Sequence, residues 1–127
     1  SVSYTADDAA GGAEGYGEKG EAGYEVRIHE EPQQQCLHDE ALFHPKYGIK
    51  VQTHHVSKAA RKVLLEGVRK LEKQDVQAVV LGCTEIPLGL PERKLGSTYL
   101  IDPGLILARA LIREFCPEKL LPWSWKT

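Results

Sequence analysis

A thiol, a hydroxyl and a carboxylate follow one another in Gly82-Cys83-Thr84-Glu85-Ile86-Pro87-Leu88. A free thiol titrates near 8.5 and its surroundings can move that value either way, so Cys83 can serve as an acid or a base near neutrality. Thr84 offers a hydroxyl donor to a ligand carboxylate, and Glu85 an acceptor that can hold a neighbouring group in place. Lys50, in Tyr47-Gly48-Ile49-Lys50, offers a cation for a substrate carboxylate. Each residue also has a plainer use. Buried cysteine is commonly a small inert hydrophobe. A threonine satisfies backbone at a strand end, a glutamate caps the next turn, and a loop lysine is a solvated charge.

The elements that must position these groups are legible from periodicity. The apolar run Val76 to Leu81 breaks at Gly82, which predicts a buried strand with Cys83 at its C-terminal end. In open α/β sheets that end faces the ligand crevice. Ahead of it, Val56, Ala59, Ala60, Val63, Leu64, Gly67, Val68 and Leu71 recur at helical spacing, with Ser57 placed to cap them. Tyr24 to His29 alternates as a strand, and Pro32 opens a weak helix from Gln33 to Phe43. Lys46 to Val51 reads as a loop or a short extended piece. After the cysteine motif, a loop leads to a strand over Thr98 to Ile101. Asp102-Pro103 then starts a helix whose stripe is Leu105, Ala108, Leu111, Ile112 and Phe115. This order predicts an α/β fold, a largely parallel sheet with flanking helices. Its parts are a disordered glycine-rich segment over 1–23, an α/β domain over 24–116 and an irregular apolar tail over 117–127. The first of these holds six of the twelve glycines and little apolar surface.

The remaining reactive residue types read as structural. Cys36 and Cys116 lack a chemical context and are expected to pack. Adjacent His54 and His55 point apart, with no spaced ligands beside them, so no metal is expected. Trp123 and Trp125 are expected to cover core or fill a subunit contact. A formal net charge of −2 argues against nucleic acid or an anionic membrane as partner. No apolar run approaches the ~20 residues that span a bilayer. Three cysteines without a Cys-x-x-Cys pair suit a reducing, cytoplasmic setting. The chain begins with Ser and contains no Met, which suggests a fragment or a processed product.

Gly82-Cys83-Thr84-Glu85-Ile86-Pro87-Leu88 resembles the second cysteine motif of the aspartate/glutamate/hydantoin racemase superfamily. The aspartate racemase branch is nearest, since glutamate racemases usually carry His where Glu85 stands. Three further pieces resemble the family in the same order. They are Tyr24-Glu25-Val26 with Glu30-Glu31, Tyr47-Gly48-Ile49-Lys50, and Leu100-Ile101-Asp102-Pro103 with its Ala-rich helix. The resemblance runs from about Ala22 to Phe115. It implies an incomplete second domain of a two-domain racemase-like fold, without the first domain and its own cysteine.

What the resemblance implies chemically is racemisation of an acidic amino acid such as aspartate, with no cofactor. One cysteine removes the Cα proton and another returns one on the opposite face. Cys83 is the candidate catalytic thiol, and Thr84, Lys50 and Glu85 are candidate substrate contacts. With one such cysteine, the isolated chain is expected to be inactive unless a homodimer or the missing N-terminal domain completes the site. The competing expectations are a maleate isomerase or arylmalonate decarboxylase type enzyme of the same superfamily, and a truncated, non-catalytic relic or binding module.

Overall fold

The computed structural model describes residues 2–4, 26–52 and 55–125. Strands β1 (Val2–Tyr4), β2 (Val26–Ile28), β3 (Ala78–Val80), β4 (Lys94–Leu95) and β5 (Thr98–Ile101) form a sheet in the order β2-β1-β3-β5-β4. Helix α1 (Glu31–Cys36) continues through π-helical turns over Leu37–Leu42. Helix α2 (Lys58–Glu72), the one-turn helix α3 (Ile86–Gly89) and α4 (Pro103–Phe115) follow. A short 3-10 turn, Pro117–Lys119, begins the tail. Among the described residues, no helix is long and apolar enough to cross a membrane.

The architecture is mixed α/β, and the sheet is mixed rather than largely parallel. β1 pairs in parallel with β2 and β3, and β3 with β5. β4 instead returns antiparallel on β5. The register sets Leu95 opposite Thr98, leaving Gly96-Ser97 as a two-residue turn with Gly96 at φ +55°. A positive φ at that point is what a tight hairpin needs and what glycine supplies. The sequence therefore held a hairpin signal inside what reads by composition as loop.

The 1–23 segment also needs a correction. Val2–Tyr4 is a strand, held between β2 and β3 by backbone pairing on both sides. Composition averaged over a long glycine-rich stretch does not resolve three residues that a sheet can recruit through main-chain bonds. The rest of that segment lies outside the described residues, as do Tyr24, Glu25 and His54.

The core sits on the face that α2 covers. Ser57 Oγ accepts from Ala60 N at 3.0 Å and caps α2. Ala60, Leu64, Gly67, Val68 and Leu71 turn inward, against Val79 of β3, Leu81, Leu90 and Leu100 of β5. At Gly67 an added Cβ would lie 2.9 Å from the Leu37 side chain, so the missing side chain lets the π-helical turns approach. Those turns arise because Phe43 N reaches back to His38 O at 3.0 Å, a five-residue step.

Helix α4 stands where the sequence places it, and it packs outside the core. Asp102 caps it, with Oδ1 accepting from Gly104 N at 2.9 Å and Leu105 N at 3.2 Å. Its apolar stripe is not buried: no residue of α4 is. Leu111, Ile112 and Phe115 face outward. Arg109, one turn before Ile112, donates to Leu121 O at 2.8 Å and lies over the Trp123 ring. Arg109 thus meets the tail, and Leu105, one turn before it, lines a cavity with Trp123.

Candidate functional site

The cysteine motif begins where β3 leaves the sheet. Leu81 N still donates to Ile101 O at 2.8 Å, so the chain is pinned to β5 one residue past the strand. Gly82 and a bend at Cys83 then turn it out at the C-terminal end of a strand flanked on both sides, by β1 and β5. Thr84 and Glu85 form a turn into α3, closed by Ile86 N to Cys83 O at 3.1 Å and Leu88 N to Glu85 O at 3.0 Å. Pro87 near the start of α3 has no N–H to leave unsatisfied.

The opposing wall is the loop after the π-helical turns. Gly48 N donates to His44 O at 2.8 Å, Ile49 N to Ala41 O at 2.9 Å and Lys50 N to Leu42 O at 3.0 Å. The path is so close that a Cβ on Gly48 would lie 2.5 Å from His44 N and from Leu42 O. Tyr47 braces it, with the hydroxyl donating to Glu40, the ring stacked on His44 and the carbonyl accepting from Ser57 Oγ. Lys50 leaves this loop with its ammonium 4.6 Å from the centre of the Phe43 ring, a cation–π contact that steadies it.

Two further contacts fix the distance between the walls. A Cβ on Gly89 would sit 2.6 Å from Leu64 Cδ1 and 3.2 Å from Ile49 Cδ1, so α3 lies directly against both. Arg61 of α2 donates to Gly89 O at 2.6 Å and makes a two-pronged pair with Glu92 at 2.5 and 3.2 Å. That fork is the strong geometry for an arginine and a carboxylate.

The result is a single bonded group. Cys83 Sγ donates to Glu85 Oε2 at 2.9 Å, and Thr84 Oγ1 donates to the same oxygen at 2.8 Å. Lys50 Nζ stands 3.9 Å from the other oxygen, Oε1. All four residues singled out from the sequence therefore meet, and Glu85 is the hub. Phe43, Gly89 and the Arg61–Glu92 pair complete the setting without having been read from the sequence, whereas Gly48 stood there within the Tyr47–Lys50 segment. The glycines were visible there as types, but nothing local marked Phe43, or Arg61 and Glu92, which lie thirty-one residues apart.

The electrostatics follow from that arrangement. Burial pushes the Cys83 thiol up, the hydrogen bond to Glu85 adds to the rise, and Lys50 opposes it. Glu85 is held below the usual carboxylate range, first by the Cys83 hydrogen bond and then by Thr84. Near neutrality the pair rests as thiol and carboxylate, a proton donor already bonded to its acceptor.

The other expected residues fall elsewhere. Cys36 is exposed rather than packed, because α1 buries none of its residues. Cys116 is half-buried at the end of α4. His55 is exposed, and the described residues contain no cluster of three or more metal-ligating side chains. Trp125 packs edge-on to Tyr99 and to Trp123. A cavity of about 220 Å³ lies beyond Leu81 and Pro87, and a small one of about 20 Å³ lies beside His29; Cys83 lines neither. Scanned against protein-family models, the chain matches none, and no curated protein matches it.

Proposed function

We propose that this chain is part of a cofactor-independent amino-acid racemase, an incomplete second domain whose Cys83 exchanges a proton with Cα of an acidic amino acid such as aspartate. The observation that carries the reading is the Cys83–Glu85 hydrogen bond at the C-terminal end of β3, with Lys50 within 4 Å of the same carboxylate. The resting thiol is the donor that a Cα carbanion needs. Glu85 takes up the hydrogen-bond partner's role that steers the thiol, and Lys50 with Thr84 supplies a cation and a hydroxyl for the substrate carboxylate. Inversion needs a second acid/base group on the other face of Cα. Neither Cys36, exposed on α1, nor Cys116, at the end of α4, belongs to the bonded group. The second group therefore comes from another domain or another copy, and the chain alone does not racemise.

A second reading has one observation in its favour. A single thiol at the site is enough for a decarboxylase of the same superfamily, in which one cysteine protonates the carbanion left by loss of carbon dioxide. The experiment that separates these is aspartate α-proton exchange in deuterated water, with Cys83→Ala as control. Exchange lost in the mutant supports the racemase half-reaction. No exchange by the chain, alone or mixed with a full-length racemase whose own second cysteine has been replaced, removes it.

A further inference from the structure

We propose that the cavity between the C-terminal ends of β3 and β5 is a binding site for a small apolar carboxylate, separate from the Cys83 group. The cavity measures about 220 Å³, and its apolar wall is Leu81, Leu90, Leu100, Leu105 and the Trp123 ring. A cavity of roughly 150 Å³ already accepts a benzene-sized molecule, so this one takes a chain or ring of about six carbons. It opens at the strand ends where α/β sheets place ligands: Leu81 follows β3 and Asp102 follows β5.

The polar groups at the wall choose the ligand's head. Trp123 Nε1 is buried without a hydrogen-bond partner. That donor is sealed from water, so it is the neighbouring Arg93 guanidinium of the lining that meets a ligand. The guanidinium lies 4.5 Å from the Trp123 ring centre and is steadied by a bond to Ser124 O at 2.5 Å. Arg109 lies 5.0 Å from the same ring centre. Of the two carboxylates of the lining, Glu92 gives both oxygens to the fork of Arg61, and Asp102 gives Oδ1 to the N–H groups it caps on α4. The Arg93 guanidinium in the wall of an apolar chamber selects an anion with an apolar body. An aspartate-like ligand, charged at both ends, has no place in it.

The test uses the full chain labelled with nitrogen-15, hexanoate as probe, and the Trp123 indole N–H resonance as readout, assigned with Trp125→Phe. Hexanoate should shift that resonance saturably, with a Kd on the order of 1 mM. Hexan-1-ol and aspartate should each bind at least about tenfold more weakly, as should hexanoate to Arg93→Gln. Leu105→Phe, which fills the chamber, should abolish the shift with an unchanged circular dichroism spectrum. Should Arg93→Gln fail to fold, the acid-against-alcohol comparison on the unaltered chain decides alone. The proposal is overturned if hexanoate gives no saturable shift, if hexan-1-ol binds as well, or if a folded Arg93→Gln or Leu105→Phe binds unchanged.

Discussion

The Cys83 thiol and the Glu85 carboxylate are joined by a 2.9 Å hydrogen bond although only one residue separates them. The turn into α3 folds Glu85 back over the strand end, so the carboxylate serves the cysteine rather than capping the helix, where it makes no side-chain bond.

Replacing Glu85 by Gln should lower the Cys83 titration. The carboxylate raises it by accepting the thiol's hydrogen bond and by its charge, and both effects weaken in the amide. Burial, the larger cause, remains, so the titration falls without reaching that of an exposed cysteine. Lys50→Met should move it the other way. Thiolate absorbance against pH, with Cys36 and Cys116 replaced by Ser, reads both; an unchanged titration in Glu85→Gln would refute the coupling.

Gly48→Ala should destabilise the chain by about 1–3 kcal/mol, because the atoms its Cβ would strike are backbone and cannot turn aside. Gly89→Ala should cost less, since its nearest neighbour is the end of a leucine side chain that can change rotamer. Urea unfolding of the two variants gives the order. Equal or inverted losses would show that the Tyr47–Lys50 loop yields more easily than its hydrogen bonds imply.

The four residues of the bonded group could be read from the sequence because each carries its chemistry in its type. Three are consecutive, so a turn after a strand was enough to gather them. Lys50 joined them only through a glycine-bearing loop that nothing but tertiary contact could place. The strand Thr98–Ile101 and the helix from Ser57 were legible for a related reason: a β-branched or apolar run and a capped apolar stripe each specify one local structure. β1 and β4 were not: Val2–Tyr4 opens a glycine-rich stretch and Lys94–Leu95 lies in a charged, proline-bearing one, so each is set by its neighbours' main-chain groups rather than by its own pattern.

Stability should fall as the pH drops below about 6.5, and His29 should account for part of the loss. The imidazole is buried, with Nε2 unpartnered, and burial followed by the charge of Lys70 holds its pKa below the ordinary 6.5. A depressed folded-state pKa means that the unfolded chain takes up the proton first. The histidine's contribution is complete above 6.5 and shrinks as the pH falls toward the folded value. Urea midpoints at pH 7.5 and 5.5 should therefore differ more for the native chain than for His29→Leu. Equal differences would assign the acid sensitivity to other groups.

Leu71 and Leu111 look alike in the sequence, each on the apolar stripe of an amphipathic helix, yet Leu71 is fully buried and Leu111 is 52 % exposed. Leu71→Ala removes atoms from a packed core on which α2 and β3 both rely, and should cost about 2–5 kcal/mol. Leu111→Ala leaves no cavity and should stay within about 0.5 kcal/mol. Leu111→Lys and Phe115→Lys should change stability as little while raising solubility, because they break up the apolar surface that α4 shows to solvent. Urea unfolding measures the first pair of effects, and the concentration at which each variant precipitates measures the second. A loss above about 2 kcal/mol in Leu111→Ala would mean that this face of α4 is covered in the folded chain.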